Sequence, residues 1–158
     1  MPKLSAGLLA YRPAAGAGLQ VLLVHPGGPF WRGKEDHAWS IPKGEYGPGA
    51  DPASEATREF EEELGIGAPR GPRLDLGTIR QAGGKQVRAW AVEAPALEVD
   101  HITSNEFEME WPPRSGKVQS FPEVDRAEWM DLDTARRRVV TAQATFFDRL
   151  VEALRQDD

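Results

Sequence analysis

Apolar residues follow two rhythms along this chain. Leu4–Arg12 and Leu19–His25 are short, nearly continuous runs rich in Leu and Val, separated by the Gly/Ala/Pro stretch Pro13–Gly18. Runs of that length bounded by turn residues predict a strand, a loop and a second strand. Pro26–Asp36 contains Gly27, Gly28, Pro29 and Gly33 and reads as loop. Trp39–Pro42 reads as a brief extended segment, because a proline disfavours helical geometry in the residue before it, here Ile41. Further on, Leu74–Arg80 and Gln86–Glu93 flank Gly83-Gly84, a hairpin signal. In the second of these runs Val87, Ala89 and Ala91 alternate with Arg88, Trp90 and Val92, so the predicted strand has two distinct faces.

The helical rhythm appears twice. Asp51 suits an N-cap, Pro52 the first helical position and Gly65 the left-handed residue beyond a C-terminus, which predicts a helix over Pro52–Leu64. A second helical region opens at Asp131 or Asp133, with Val139, Val140, Phe146, Phe147, Leu150, Val151 and Leu154 forming an apolar stripe. A short strand, Glu128–Leu132, leads into it. Between these regions, His101–Gln119 is harder to read. It sets Phe107 and Trp111 among Glu106, Glu108 and Glu110; part of it reads as strand, and Pro112-Pro113 forces a loop. Strands mixed with two helical regions predict a sheet covered on both faces. Trp39, Trp90 and Trp129 lie on predicted strands and are assigned to the core. His25, His37 and His101 show no metal-ligand spacing and read as structural or solvated.

Composition bounds the function. A chain of 158 residues fits one domain, expected over 1–158, and neither an internal repeat nor a linker interrupts it. With no cysteine, a disulfide framework and a thiolate zinc site are both excluded. The N-terminal segment lacks the long apolar core of a signal peptide, and no run approaches the length of a membrane span, so a cytoplasmic location is expected. A net charge of −6 argues against a nonspecific nucleic-acid or anionic-membrane binder. It does not argue against a phosphate substrate, because bound cations invert a local field.

The run Arg58-Glu59-Phe60-Glu61-Glu62-Glu63-Leu64-Gly65-Ile66 changes the picture most. Glu59 is three residues from Glu62 and four from Glu63, so the three share one helix face, where like charges repel by a few tenths of a kcal/mol per pair. They also lie at the negative end of the helix dipole. Carboxylates disfavoured in both ways need a compensating cation, and hard oxygen donors on one rigid face suit Mg²⁺ or Mn²⁺.

Together with Gly44, this run resembles the Nudix box, G-x5-E-x7-R-E-U-x-E-E-x-G-U, with U a bulky apolar residue. One specified position departs: Ala50 stands where the first Glu is expected. Asp51 does not substitute for it, being engaged as the cap. The resemblance implies an α+β fold, specifically an α/β/α sandwich around a mixed, partly curled sheet. It implies Mg²⁺-dependent cleavage of a diphosphate bond in a nucleoside polyphosphate, with Mn²⁺ as a substitute. Glu59, Glu62, Glu63 and the Gly44 carbonyl would hold metal, while Arg58 would fix a carboxylate rotamer. Pro42-Lys43-Gly44 is similar to diadenosine polyphosphate and diphosphoinositol polyphosphate hydrolases, and Lys43 would meet a polyphosphate oxygen. Glu123, six residues before Trp129, looks like the late Glu that diadenosine tetraphosphate hydrolases turn towards the metal or the attacking water. Glu106, Glu108 and Glu110 compete for that role. Phe107 or Trp111 would stack on a purine. A dinucleoside polyphosphate is the favoured substrate, with nucleoside triphosphates and diphosphoinositol polyphosphates behind it. The expected partner is thus a small-molecule nucleotide, with no nucleic acid, no membrane and no prediction of oligomeric state. The rival reading is a noncatalytic domain of the same fold that binds a nucleotide or a protein; such domains usually lose part of the Arg-Glu or Glu-Glu pair, which is intact here.

Overall fold

The computed structural model describes residues 3–16 and 18–156. Met1 and Pro2, where the segment read for a leader begins, lie outside the described residues, as do Ala17 and the last two residues of the expected 1–158 domain. The chain runs β1 (Leu4–Pro13), β2 (Leu19–Pro26), β3 (Lys43–Glu45), α1 (Pro52–Leu64), β4 (Arg73–Arg80), β5 (Gln86–Glu93), β6 (Glu106–Glu110), β7 (Val118–Pro122), β8 (Val124–Asp131), α2 (Leu132–Arg138) and α3 (Ala144–Gln156). A single 3₁₀ turn, Thr141–Gln143, joins the last two helices.

Why the first strand is apolar throughout follows from the layers. Ala6, Leu8 and Ala10 of β1 enter one buried cluster, and Leu9 and Tyr11 enter another. A strand turns successive side chains to opposite faces, so an unbroken apolar run needs cover on both. On one face α1 brings Ala56, Phe60 and Leu64 against Leu22, Val24, Trp90 and Val92. On the other, Ala135, Val139, Phe146, Phe147 and Leu150 from the C-terminal helices and their junction lie over Val21, Leu23, Val87, Ala89 and Ala91. The two faces of β5 expected from its alternation are therefore both buried.

The sheet order is β4-β5-β1-β2-β8, with β1 and β5 parallel, the other pairs antiparallel, and β3 added beside β1. One edge of β1 is divided: Ser5–Gly7 pair with β3, whereas Tyr11–Pro13 pair with β2. The sheet splits there without closing, and this is the mixed, partly curled α/β/α sandwich that the family resemblance implied. Among the described residues no helix is long and apolar enough to cross a membrane.

Two elements differ from expectation, and the stretch read as part strand and part loop takes a definite form. The C-terminal helical region is broken at Val139, which is extended (φ −77°, ψ 153°). Trp39 N–H donates to Arg138 O at 2.9 Å and Val140 N–H to Trp39 O at 2.8 Å, so a strand-like bridge takes the backbone groups that a continuous helix would use. β8 begins at Val124 rather than Glu128; it is an edge strand whose middle positions are mostly exposed, so its first half carries no apolar signal. The stretch that was hard to read is a separate hairpin, β6 with β7, and its loop carries the proline pair.

Gln143 is fully buried and ties this bridge to the segment entering β3. Its Oε1 accepts from Ile41 N–H at 3.0 Å, and its Nε2 donates to Ser40 Oγ at 3.0 Å and Gln81 Oε1 at 2.9 Å. Gln143→Leu should destabilise the fold by about 1–3 kcal/mol, because it leaves the Ile41 donor unpaired in the core. Denaturant unfolding checks this; an unchanged midpoint would show that the Ile41 donor finds another partner.

Candidate active site

The helix that carries the acidic run is fixed at both ends. Asp51 Oδ2 accepts from Ser54 N–H at 3.2 Å, as its capping role requires. Gly65 adopts φ 67° and donates to Glu61 O. A Cβ at Gly65 would come within 2.5 Å of Thr103 O, so both its dihedral and its neighbour exclude a side chain. Glu61 takes no part in the cluster: its Oε2 accepts from Ala68 N–H at 2.9 Å, tying down the turn after the helix.

Glu59, Glu62 and Glu63 differ sharply in environment. Glu63 is buried, and its Oε2 accepts from the Lys43 backbone N–H at 3.3 Å. Burial is the main reason its pKa is pushed up to about 8; the Glu59 and Glu123 charges add to the effect, and Lys43 opposes it. Glu59 is also raised, first by burial and then by repulsion from Glu62 and Glu123, while Arg58 acts against both. The Glu59 carboxylate occupies the space beside Gly44, where an added Cβ would lie 2.0 Å from its carboxyl carbon. Gly44 is therefore what lets β3 and this carboxylate share the site. Glu62 is the most exposed of the three.

Arg58 gathers this face into one network. Its Nε donates to Glu55 Oε2 at 2.9 Å, its Nη1 to Glu62 Oε1 at 2.7 Å and its Nη2 to Glu59 Oε1 at 3.0 Å. These contacts hold its guanidinium charged far above the ordinary range. Glu55 was missed by the motif, although its spacing of three residues from Arg58 on a helix is a legible signal.

Glu123 comes to the same place from far along the chain. Thr103 N–H donates to Leu64 O and Asn105 N–H to Glu62 O, each at 3.0 Å, so the segment before β6 lies on the end of α1. Glu123 N–H then donates to Asn105 O at 2.8 Å, and Val124 N–H to Ser104 Oγ at 3.0 Å. The Glu123 carboxyl is raised by partial burial and then by the Glu62 charge. By contrast, Glu106 accepts from Ser120 Oγ and Glu110 from Arg114 N–H, so those two are engaged within the hairpin; Glu108 lies exposed on its outer side. Lys43 is half-buried, and its ammonium is lowered by desolvation and by Lys85, against the pull of Glu63, Glu45 and Glu59. No sequence signal pointed to Lys85.

The proposed aromatic contacts lie on the hairpin. Phe107 is half-buried, packs 6.0 Å from Phe121 and faces Gly28, where an added Cβ would come within 2.9 Å of its ring. Trp111 meets Phe30 edge-on at 5.7 Å. Ala50 lies just ahead of the helix cap, remote from the C-terminal carboxylates. His25 is buried, with Nδ1 2.8 Å from Asp125 Oδ1 and Nε2 2.7 Å from Lys34 O, a structural tie between the loop after β2 and the start of β8.

Among the described residues no three acidic or histidine side chains converge as they stand on a common cation position. Glu59 and Glu62 are turned onto Arg58 instead. The donor set nevertheless fits a hard divalent ion: its side chains offer carboxylate oxygen only, it includes a buried carboxyl whose ionisation is penalised, and Gly44 lets the Glu59 carboxylate lie directly against β3.

Comparison with known proteins bears on the whole fold. The family model of the NUDIX domain matches residues 1–150. No curated protein matches significantly in sequence. Among solved structures, an Ap4A hydrolase of C. elegans in a binary complex superposes with a TM-score of 0.67 at 23% identity, covering 96% of this chain and 98% of that one. The NUDIX domain of Shewanella oneidensis NrtR, complexed with ADP ribose, gives 0.65 at 15% identity over 98% and 89%. The C-terminal domain of mouse MUTYH, in complex with human PCNA, gives 0.62 at 18% over 98% and 91%. At these identities the likeness is one of fold.

The buried carboxyl has a consequence for stability. Without divalent cation, Glu63 titrates near 8 in the folded protein against an ordinary 4.5. The folded state then keeps a proton that the unfolded chain releases, so the contribution is full below about pH 4.5 and is lost as pH rises towards about 8. Stability in metal-free buffer should fall by a few kcal/mol across this window, at about 1.4 kcal/mol per pH unit at most. Urea unfolding at several pH values checks this, and Glu63→Gln should flatten the slope. An equally steep slope in that variant would locate the effect elsewhere.

Proposed function

Because the chain belongs to the NUDIX domain family, we propose that it hydrolyses a diphosphate bond in a nucleoside polyphosphate, using Mg²⁺, with Mn²⁺ as a substitute. The favoured substrate is a dinucleoside polyphosphate such as diadenosine tetraphosphate; a nucleoside triphosphate or a diphosphoinositol polyphosphate is the alternative. What carries the reading is buried Glu63 and half-buried Glu59 beside half-buried Lys43, with Glu123 drawn in from another element. Family membership and the complete Arg-Glu and Glu-Glu pairs support a pyrophosphohydrolase over a noncatalytic binding domain. The reading takes 1–158 as one catalytic unit acting in the cytoplasm on a small-molecule nucleotide.

Each residue has a distinct task. Glu59, Glu62 and Glu63, with the Gly44 carbonyl, would hold the cation. The bound ion supplies Lewis-acid polarisation of the phosphoryl oxygens and offsets charge on the leaving phosphate. Arg58, already bonded to Glu59 and Glu62, orients those carboxylates and keeps their rotamers from relaxing into solvent. Glu123, its pKa raised by burial and by Glu62, is suited to take the proton of the attacking water, because a base needs a pKa nearer to neutrality than a solvated carboxylate has. Lys43 presents its ammonium to a phosphate oxygen beyond the reacting phosphorus. Burial makes that charge unfavourable when alone, so an incoming phosphate relieves a cost already present.

Glu62→Gln and Glu63→Gln should each lower kcat by roughly 100-fold or more, the scale seen when one preorganised charged contact is lost. Both variants should stay folded, and millimolar Mg²⁺ should raise the melting temperature of the parent chain more than theirs. Rates and melting curves together decide: parent-level activity in either variant removes the metal-site reading. A parent chain that binds nucleotide yet turns over none, with or without Mg²⁺, leaves a binding domain instead.

Trp111→Ala tests the outer contact. If its ring stacks on a base, KM for diadenosine tetraphosphate should rise by about tenfold with kcat little changed, since binding common to ground and transition states is lost. An inorganic polyphosphate should be unaffected. Equal loss on both substrates would make Trp111 a structural pin.

A further inference from the structure

We propose that Phe30, on the loop between β2 and β3, forms with Trp111 an aromatic platform for the nucleobase of the substrate half remote from the reacting phosphorus, with Trp31 and Lys34 at its flank. The inference deepens the dinucleoside polyphosphate reading and rests on it.

Four observations carry it. Phe30 is 60% exposed and Trp31 39% exposed, two large apolar side chains side by side on a surface loop. Their exposed area gains nothing from folding, and adjacent exposed aromatics on a polar surface suit a ligand contact. Phe30 and Trp111 meet edge to face at an interplanar angle of 74°, so their contact occupies one ring face only, and the exposed Phe30 ring can meet a flat partner. The platform is also continuous with the candidate catalytic centre. Gly27 N–H donates to Glu123 O at 3.0 Å, and Phe30 follows three residues later, within about 10 Å of chain. The same loop is pressed onto the hairpin where Gly28 faces Phe107, so Phe30 and Trp111 are held together from both sides.

Charge selects the occupant. Among the described residues Arg32, Lys34, Arg114 and Lys117 form no ion pair, although the chain is acidic overall. Lys34 Nζ lies 5.5 Å from the centre of the Trp31 ring. Cations free of ion pairs on the two loops that carry these rings suit a phosphorylated nucleoside, whose base stacks while its phosphates meet the ammonium and guanidinium groups. A purely apolar partner would leave those cations without a counterpart. Phe107, by contrast, is half-buried between Gly28 and Phe121.

The test compares diadenosine tetraphosphate with adenosine tetraphosphate, which carries the same phosphates but one base. Phe30→Ala should raise KM for the dinucleotide by about tenfold and for the mononucleotide by less than about twofold, with kcat and melting temperature unchanged. Phe30→Tyr should retain the parent KM, whereas Phe30→Leu, apolar but not aromatic, should behave like Phe30→Ala. No change in the Phe30→Ala variant, an equal change on both substrates, or full activity in Phe30→Leu would overturn the platform. Should the parent chain hydrolyse no dinucleotide, the substrate reading fails separately, and the platform is judged by calorimetric binding of diadenosine tetraphosphate. Phe30→Ala should then weaken affinity by about tenfold, and unchanged affinity overturns the proposal.

Discussion

The approach of β3 to the C-terminal turns of α1 is the constraint on which the rest of the site depends. It requires two absences of a side chain. At Gly7 an added Cβ would lie 2.7 Å from Pro42 O, so the short β3 ladder onto β1 would be forced away. At Gly44 it would strike the Glu59 carboxylate. With both spaces empty, β3 lies close enough for the Lys43 backbone to donate to Glu63, and Glu63 is roofed over as a result. The perturbed ionisation of Glu63 and Glu59, and the half-burial of Lys43, follow from that one packing decision.

Charge in this cluster is deliberately out of balance. Arg58 compensates Glu55, Glu59 and Glu62 together, but donates nothing to Glu63. Three carboxylates sharing one guanidinium, with a fourth buried beside them, leave negative charge that the protein itself does not neutralise. A fold selected for stability alone would replace Glu63 with an apolar residue, since a buried carboxyl costs stability whether it is ionised or held protonated. The same tension makes the face receptive to a hard cation. Lys43 is the mirror case, a cation kept under-solvated until phosphate arrives.

Much of this was legible in the chain because it is local. The cap residues Asp51 and Pro52, the Gly65 terminator and the three- and four-residue spacings define α1 and its acidic face from local sequence alone. The apolar runs of β1 and β2 and the alternation of β5 were equally plain, since pattern reports burial directly. What escaped depends on partners remote in sequence. Val139 breaks its helix because Trp39, a hundred residues earlier by number, takes its neighbours' hydrogen bonds. The first half of β8 is an exposed edge that carries no hydrophobic signature. Glu123 was distinguishable from Glu106, Glu108 and Glu110 only by family resemblance; the physical reason it lies nearer the cluster is the main-chain relay through Asn105, which no side-chain pattern announces. Likewise Phe30 reads as part of a glycine-rich loop, because its partner Trp111 is remote in sequence.

The most direct test of the account is the number of protons released when Mg²⁺ binds, obtained by calorimetry in buffers of differing ionisation heat. If Glu63 is a buried acid that holds its proton near neutrality until a cation arrives, binding at pH 7 must expel that proton. The account predicts release approaching one proton at pH 7, declining above about pH 8 and absent in Glu63→Gln. Binding of Mg²⁺ at pH 7 with no proton released would contradict it.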